Sequence, residues 1–208
     1  MVTDTQEQLI QILDERARVR GGSDAQFELA SGEGSNVYFD GKRVTQSSTG
    51  IPLVGEVVWE FAAKIGADAV GGLAVGSIPI SDAAVAYAAL SAKAKLGGFY
   101  ILDTVKGHGT KERVYQSFTE DGEDLLSEGT KVLIVDDVMT TGGSIGRAIE
   151  EVRRRGAEVE GVLVLIDRQD PRAQDIRTAA PHFCAIAELE EDGTLRPAAG
   201  GRAAATIS

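Results

Sequence analysis

The sequence predicts an α/β fold, with a central parallel sheet of about five strands, helices on both faces and a small N-terminal hood. Three observations carry that prediction. Short apolar runs recur at residues 69–76, 98–102, 132–135, 162–166 and 183–189, and those at 69–76, 132–135 and 162–166 read as strands buried on both faces. Segments between several of these runs repeat apolar residues at helical spacing. Small, hydroxylated or charged residues follow several runs, at the strand ends where such sheets collect their ligands.

Taken in order, Leu9, Ile10, Leu13 and Ala17 share one helical face, and Gly21 with Gly22 ends that segment. Residues 27–43 read FELASGEGSNVYFDGKR, in which turn residues at 31–36 separate two strand-like pieces. This hairpin-like hood lies outside the α/β alternation, and on physical grounds Tyr38 and Phe39 read as core. Pro52 starts a helix with Val54, Val57, Val58, Phe61, Ala62 and Ile65 on one stripe, stopped by Gly66; Trp59 lies off the stripe at a partly exposed position. The strand at 69–76 runs into a glycine turn, and Pro79 opens a small-residue helix reaching Leu90.

After the strand at 98–102 comes a glycine-containing loop, residues 103–115, that holds Lys106, His108, Lys111 and Arg113. A lone histidine there reads as a solvated loop residue. Residues 117–129 are acidic and turn-rich. A helix with Ile145, Ala148, Ile149 and Val152 on one face follows the strand at 132–135 and ends at Gly156. The run at 162–166 leads into Asp167 and Arg168, for which a strand-end ion pair is the bland reading. One domain is expected over residues 1–208, divided into helix and hood (1–45), α/β core (46–190) and a weakly ordered tail (191–208).

A net charge of −11 argues against a nucleic-acid partner, which calls for a basic face. The single cysteine, Cys184, excludes an internal disulfide and suits a reducing compartment. No apolar run approaches the ~20 residues of a membrane span, and the N-terminus carries no secretion signal. The expectation is a cytoplasmic protein with no membrane association.

The chemistry concentrates in residues 131–145, KVLIVDDVMTTGGSI. A buried strand ends in two adjacent carboxylates, Asp136 and Asp137, and a small, hydroxylated loop leads into a helix. Backbone N–H groups at a helix N-terminus attract a phosphate dianion. Neither a Walker A sequence nor G-x-G-x-x-G occurs. Two carboxylates beside a phosphate cradle repel a bare phosphate, but they suit a ribose phosphate that presents hydroxyls, or a diphosphate carrying Mg²⁺. For a single junction of this kind, an ordinary turn with an acidic N-cap is the bland alternative.

Residues 135–144, VDDVMTTGGS, closely resemble the phosphoribosyl diphosphate (PRPP) motif of type I phosphoribosyltransferases. The hood resembles that of the orotate phosphoribosyltransferase family, in which F-x-L-x-S-G precedes S-x-x-[YF]-F-[DN]. Residues 71–80 match the outline of the family turn G-x-x-x-x-G-I-P that borders the diphosphate, and Lys106 and His108 preserve its K-x-H-G. The resemblance implies transfer of a 5-phosphoribosyl group from PRPP to orotate, giving orotidine 5′-phosphate and diphosphate. It implies Mg²⁺ bound mainly through PRPP, with no protein metal ligand.

On the family pattern Asp136 and Asp137 hold the ribose hydroxyls. Val138, Met139, Thr140, Thr141, Gly142, Gly143 and Ser144 form the PRPP cradle. Lys106 and His108 lie on a mobile loop, residues 103–115, that closes over the departing diphosphate in the neighbouring site of a homodimer. Thr140, Arg168, Tyr38 and Phe39 meet the orotate. The chain departs from the pattern at Ala30, where the family has a lysine, at Val75 and Gly76 for a frequent Y-K, and at Leu102 and Asp103 for R-K. Lys111 and Arg113 are candidates to replace that charge. Two alternatives stay open: a phosphoribosyltransferase for another base, and a PRPP-binding regulator without turnover.

Overall fold

The computed structural model of the protein describes residues 3–20, 27–28, 34–35, 37–102, 114–116, 119 and 121–198. Helix α1 (Asp4–Ile12) opens with a capping box: the Thr3 hydroxyl accepts from the Gln6 N–H, and the Gln6 side chain accepts from the Thr3 N–H, both at 3.2 Å. A π-helical segment, Leu13–Ala17, continues it, and the predicted stripe Leu9, Ile10, Leu13 and Ala17 is buried. In the hood, β1 (Arg18–Arg20) pairs antiparallel with a later strand, and β2 (Phe27–Glu28) with β3 (Gly34–Ser35) form a small unit of their own. Strand β4 (Val37–Phe39) is the partner of β1, and α2 (Lys42–Thr45) joins hood to core.

Helix α3 (Ile51–Ile65) has Pro52 in its first turn and ends at Gly66 in the left-handed conformation, φ 69°, as the sequence predicts. The core then alternates β5 (Ala69–Leu73), α4 (Ser77–Tyr87, extended by a π-helical Ala88–Ala92), β6 (Gly97–Ile101), β7 (Val114–Gln116), β8 (Lys131–Met139), α5 (Gly143–Arg154), β9 (Glu158–Asp167), α6 (Gln174–Arg177), β10 (His182–Leu189) and β11 (Leu195–Pro197). One seven-stranded sheet has the order β11-β10-β9-β8-β5-β6-β7. Its five central strands are parallel and coincide with the five predicted runs, while β7 and β11 are antiparallel edges.

Three expectations need correction. Residues 195–197 do not trail away: β11 pairs with β10, and Ala198 beyond it is buried. Val114 and Tyr115, read as loop, belong to β7, with Ile101 opposite Val114, so residues 102–113 connect two antiparallel strands. Strand β8 does not stop before the acidic pair but continues through Asp136 and Asp137 to Met139, because β9 offers pairing partners as far as Ile166 and Asp167.

Side chains of β9 alternate between two apolar layers. Leu163 and Leu165 face α1, α3 and α4, whereas Val162 and Val164 face α5. Each is 0% exposed, worth ~1.5–3 kcal/mol of burial. The chain proceeds from β5 to β6 in one direction along the sheet and from β8 to β9 to β10 in the other. Strand order therefore reverses between β5 and β8. Helices α4 and α5, which follow those strands, cover opposite faces and leave a crevice outside the strand ends. Among the described residues no helix is long and apolar enough to cross a membrane.

Candidate active site

The two loops at the reversal point bring the predicted segments together. From β5, the chain turns through a cis Ala74–Val75 peptide to Gly76, the residue before α4. From β8, it turns through Thr140 and Thr141 to Gly142, before α5. Gly76 sits so close to the acidic pair that a Cβ there would lie 2.6 Å from Asp137 Oδ1 and 2.9 Å from Asp136 Oδ1. On the other side Gly41, between the hood and α2, would put a Cβ 2.6 Å from Asp137 Oδ2. Asp137 is thus held between two segments that meet it with bare backbone, one from the sheet edge and one from the hood.

Both carboxylates accept local hydrogen bonds, Asp136 Oδ1 from the Asp137 N–H at 3.0 Å and Asp137 Oδ1 from the Val138 N–H at 2.9 Å. Burial pushes the Asp136 carboxyl well above the ordinary range, and the neighbouring Asp137 charge adds to this. Burial also raises Asp137, opposed by the Val138 N–H and by the field of the Lys42 ammonium. Two carboxylates in this position are costly to ionise without a ligand. They are suited to a ligand that brings hydroxyl donors.

Beyond the pair, the Met139 side chain is buried in the core, so its contribution to the loop is backbone. Gly142 has φ 78°, and a Cβ there would lie 2.4 Å from Ile176 Cγ1, so the turn needs glycine for both its conformation and its packing against α6. Among the described residues no side chain caps α5, and Thr140, Thr141 and Ser144 around its N-terminus are partly exposed.

Arg168 follows β9 and is locked to the same loop, its N–H donating to the Met139 carbonyl at 3.0 Å. Asp167, the residue before it, has a different arginine as its partner. Arg177 takes both Asp167 oxygens, at 2.9 and 2.8 Å, and the Gln169 N–H donates to Asp167 Oδ1 at 2.8 Å. Burial lowers the pKa of the Arg168 guanidinium, against the field of Asp170. A half-desolvated guanidinium on a fixed backbone is a strong carboxylate receptor.

The aromatic pair of the hood divides. Strand alternation in β4 sends Phe39 into the core at 3% exposure, packed in the layer with Leu13 and Val44, and turns Tyr38 outward at 37%. Phe39 is therefore part of the core, and of the two rings Tyr38 is the exposed one. Lys106, His108, Lys111, Arg113, Asp103 and Ala30 lie outside the described residues. Leu102 and Arg147 line a common recess of about 270 Å³ beside the end of β6.

Sequence reasoning missed Gly41 and Lys42. The G-K-R that follows the hood aromatics was the available signal, but only the folded hood sets it against Asp137. No group of three or more His, Cys, Asp or Glu side chains among the described residues could hold a metal ion.

The profile of the phosphoribosyl transferase domain family matches residues 52–189. The orotate phosphoribosyltransferase of Streptomyces avermitilis is 36% identical, with 85% of this chain and 90% of that protein covered. The one from Methanocaldococcus jannaschii is also 36% identical, over 90% of this chain and 97% of that protein. Among solved structures, Mycobacterium tuberculosis orotate phosphoribosyltransferase superposes with a TM-score of 0.70 at 25% identity, covering 89% of this chain and 97% of that one. The chain belongs to the phosphoribosyl transferase domain family and, within it, to the orotate phosphoribosyltransferases.

Proposed function

We propose that this protein transfers the 5-phosphoribosyl group of PRPP to orotate, forming orotidine 5′-phosphate and diphosphate. The observation that carries the reading is the acidic pair at the strand reversal, with the α5 N-terminus following it in the chain and Arg168 tied by its backbone to the end of the same strand. Asp136 and Asp137 accept hydrogen bonds from the ribose hydroxyls. The N-terminus of α5, with Thr140, Thr141, Gly142, Gly143 and Ser144, holds the 5′-phosphate. Arg168 pairs with the orotate carboxylate, next to Thr140, and Tyr38 supplies a wall for the base.

The chemistry asks little covalent work of the protein. The ribosyl carbon gains positive character as diphosphate departs, so orientation, exclusion of water and charge on the leaving group dominate. Mg²⁺ arriving on PRPP would neutralise diphosphate charge, with no protein ligand required of this chain. Lys106 and His108 serve the departing diphosphate, from a loop that reaches the neighbouring site of a homodimer in the cytoplasm. Residues 1–208 act as one domain.

The test is product formation from PRPP and Mg²⁺ with orotate, beside uracil, adenine, guanine and hypoxanthine. Orotate alone should be consumed. Turnover of a purine or uracil in its place would reassign the base. PRPP binding without any turnover would make the protein a sensor.

A further inference from the structure

Lys42 has no assigned part in the reaction, yet it stands at the junction of its two halves. It opens α2, directly after Gly41, whose backbone is flush with the Asp137 carboxylate. Its ammonium lies 2.9 Å from Asp40 Oδ1, within electrostatic reach of both Asp137 and the Tyr38 phenol. Asp40 is itself fixed, its N–H donating to the Ala17 carbonyl at 2.8 Å and its carbonyl accepting from the Arg43 N–H at 3.2 Å. The Arg43 guanidinium stands 3.7 Å from the other Asp40 oxygen. Helix α2 packs on both α3 and α4, so this turn has a rigid base.

We propose that Lys42 is a positioning residue for the transfer reaction, seating the hood on the Asp137 carboxylate so that the ribose grip and the base wall keep one geometry. The inference rests on the function proposed above and deepens it. Among the described residues the titratable groups around Lys42 are the carboxylates of Asp40 and Asp137 and the Tyr38 phenol, with Asp136 beside Asp137 and Arg43 beside Asp40. In this setting the Lys42 ammonium favours the ionised form of Asp137, against the burial that opposes it. An ionised Asp137, pinned by Gly41 and Gly76, is the better acceptor for a ribose hydroxyl. Removing Lys42 raises the pH at which Asp137 ionises and loosens the hood above it.

The experiment uses the full chain with Lys42→Met and Lys42→Arg. Equilibrium binding of PRPP with Mg²⁺ is measured by calorimetry from pH 5.5 to 8.5, alongside steady-state kinetics and Tm. Lys42→Met should weaken PRPP binding about tenfold, leave kcat within about threefold, and move the acid limb of the binding profile to higher pH. Lys42→Arg should restore the affinity and the acid limb. Parental PRPP affinity and pH profile in Lys42→Met would overturn the proposal, as would a loss that arginine does not rescue and that tracks a fall in Tm. If the parent binds no PRPP at all, the functional reading falls and takes this inference with it. If the parent binds PRPP and consumes orotate while Lys42→Met is silent, this inference alone falls.

Discussion

Replacing Gly76 by alanine isolates the geometry of the acidic pair from every other property of the turn. Gly76 has φ −61° and ψ −39°, a conformation alanine adopts without strain, so backbone preference cannot cause a defect. Through the unfolded state alone the change should stabilise by ~0.4–1 kcal/mol. The new methyl, however, meets Asp137 Oδ1 at 2.6 Å and Asp136 Oδ1 at 2.9 Å, where ordinary contact begins at 3.4 Å. The shortfalls are about 0.8 and 0.5 Å, so the carboxylates must rotate or the turn must lift. Rotation to off-rotamer angles costs ~0.5–1.5 kcal/mol, and overpacking typically ~1–3 kcal/mol. Rotation of Asp137 also breaks the 2.9 Å bond from the Val138 N–H.

Net stability should therefore move by no more than a few kcal/mol, whereas a displacement approaching 1 Å at a positioning group can cost about 100-fold in rate. Steady-state orotidine 5′-phosphate formation should show kcat/KM reduced about 10- to 100-fold, with Tm changed by no more than about 10 °C. Gly146→Ala on α5 is the matched control, because its Cβ meets Ile176 Cδ1 at 3.6 Å, ordinary contact. It should be active and equally or more stable. Activity of Gly76→Ala within about threefold of the parent would refute the argument that the bare backbone there positions the two carboxylates.

Three further outcomes are expected. The double change Asp136→Asn with Asp137→Asn should abolish PRPP binding in calorimetry while raising Tm at neutral pH. Raised carboxyl pKa values confer stability that is complete below about pH 4 and lost as pH climbs through the folded values, a loss that asparagine does not suffer; an unchanged or lower Tm at pH 8 would count against the buried-charge account. Arg168→Ala should raise KM for orotate far more than KM for PRPP, and equal effects on the two would assign Arg168 to scaffolding. Lys106→Ala, and separately the pair Lys111→Ala with Arg113→Ala, should each lower kcat at least about tenfold, roughly 1.4 kcal/mol of transition-state stabilisation. Loss with Lys106→Ala alone would show that Leu102 and Asp103 mark charge that the loop does not replace.

Local pattern was enough for much of the fold. The five parallel strands are legible because strands buried on both faces need continuous apolar runs, and the helices around Val58 and Ile149 because one apolar stripe must meet the sheet. Pro52 and Gly66 mark the ends of α3 through φ preference alone. The acidic pair and its loop are equally legible, since a contiguous segment carries them. Other features depend on partners distant in sequence. Strand β8 runs on to Met139 because β9 lies beside it, and β11 exists because β10 offers an open edge. Phe39 rather than Tyr38 is buried because the pairing of β4 with β1 sets which face meets the core.

By itself the sequence determined the α/β class, the strand and helix segments of the core, and the place of the acidic pair at the end of a central strand, all properties of contiguous residues. Tertiary structure decided where strand order reverses, and hence that Gly76 and Gly41 close on Asp137, that Arg177 holds Asp167, and that Lys42 comes within electrostatic reach of Asp137. Those relations join residues between 10 and about 100 positions apart. Contacts at such separations follow from packing, which no local periodicity encodes.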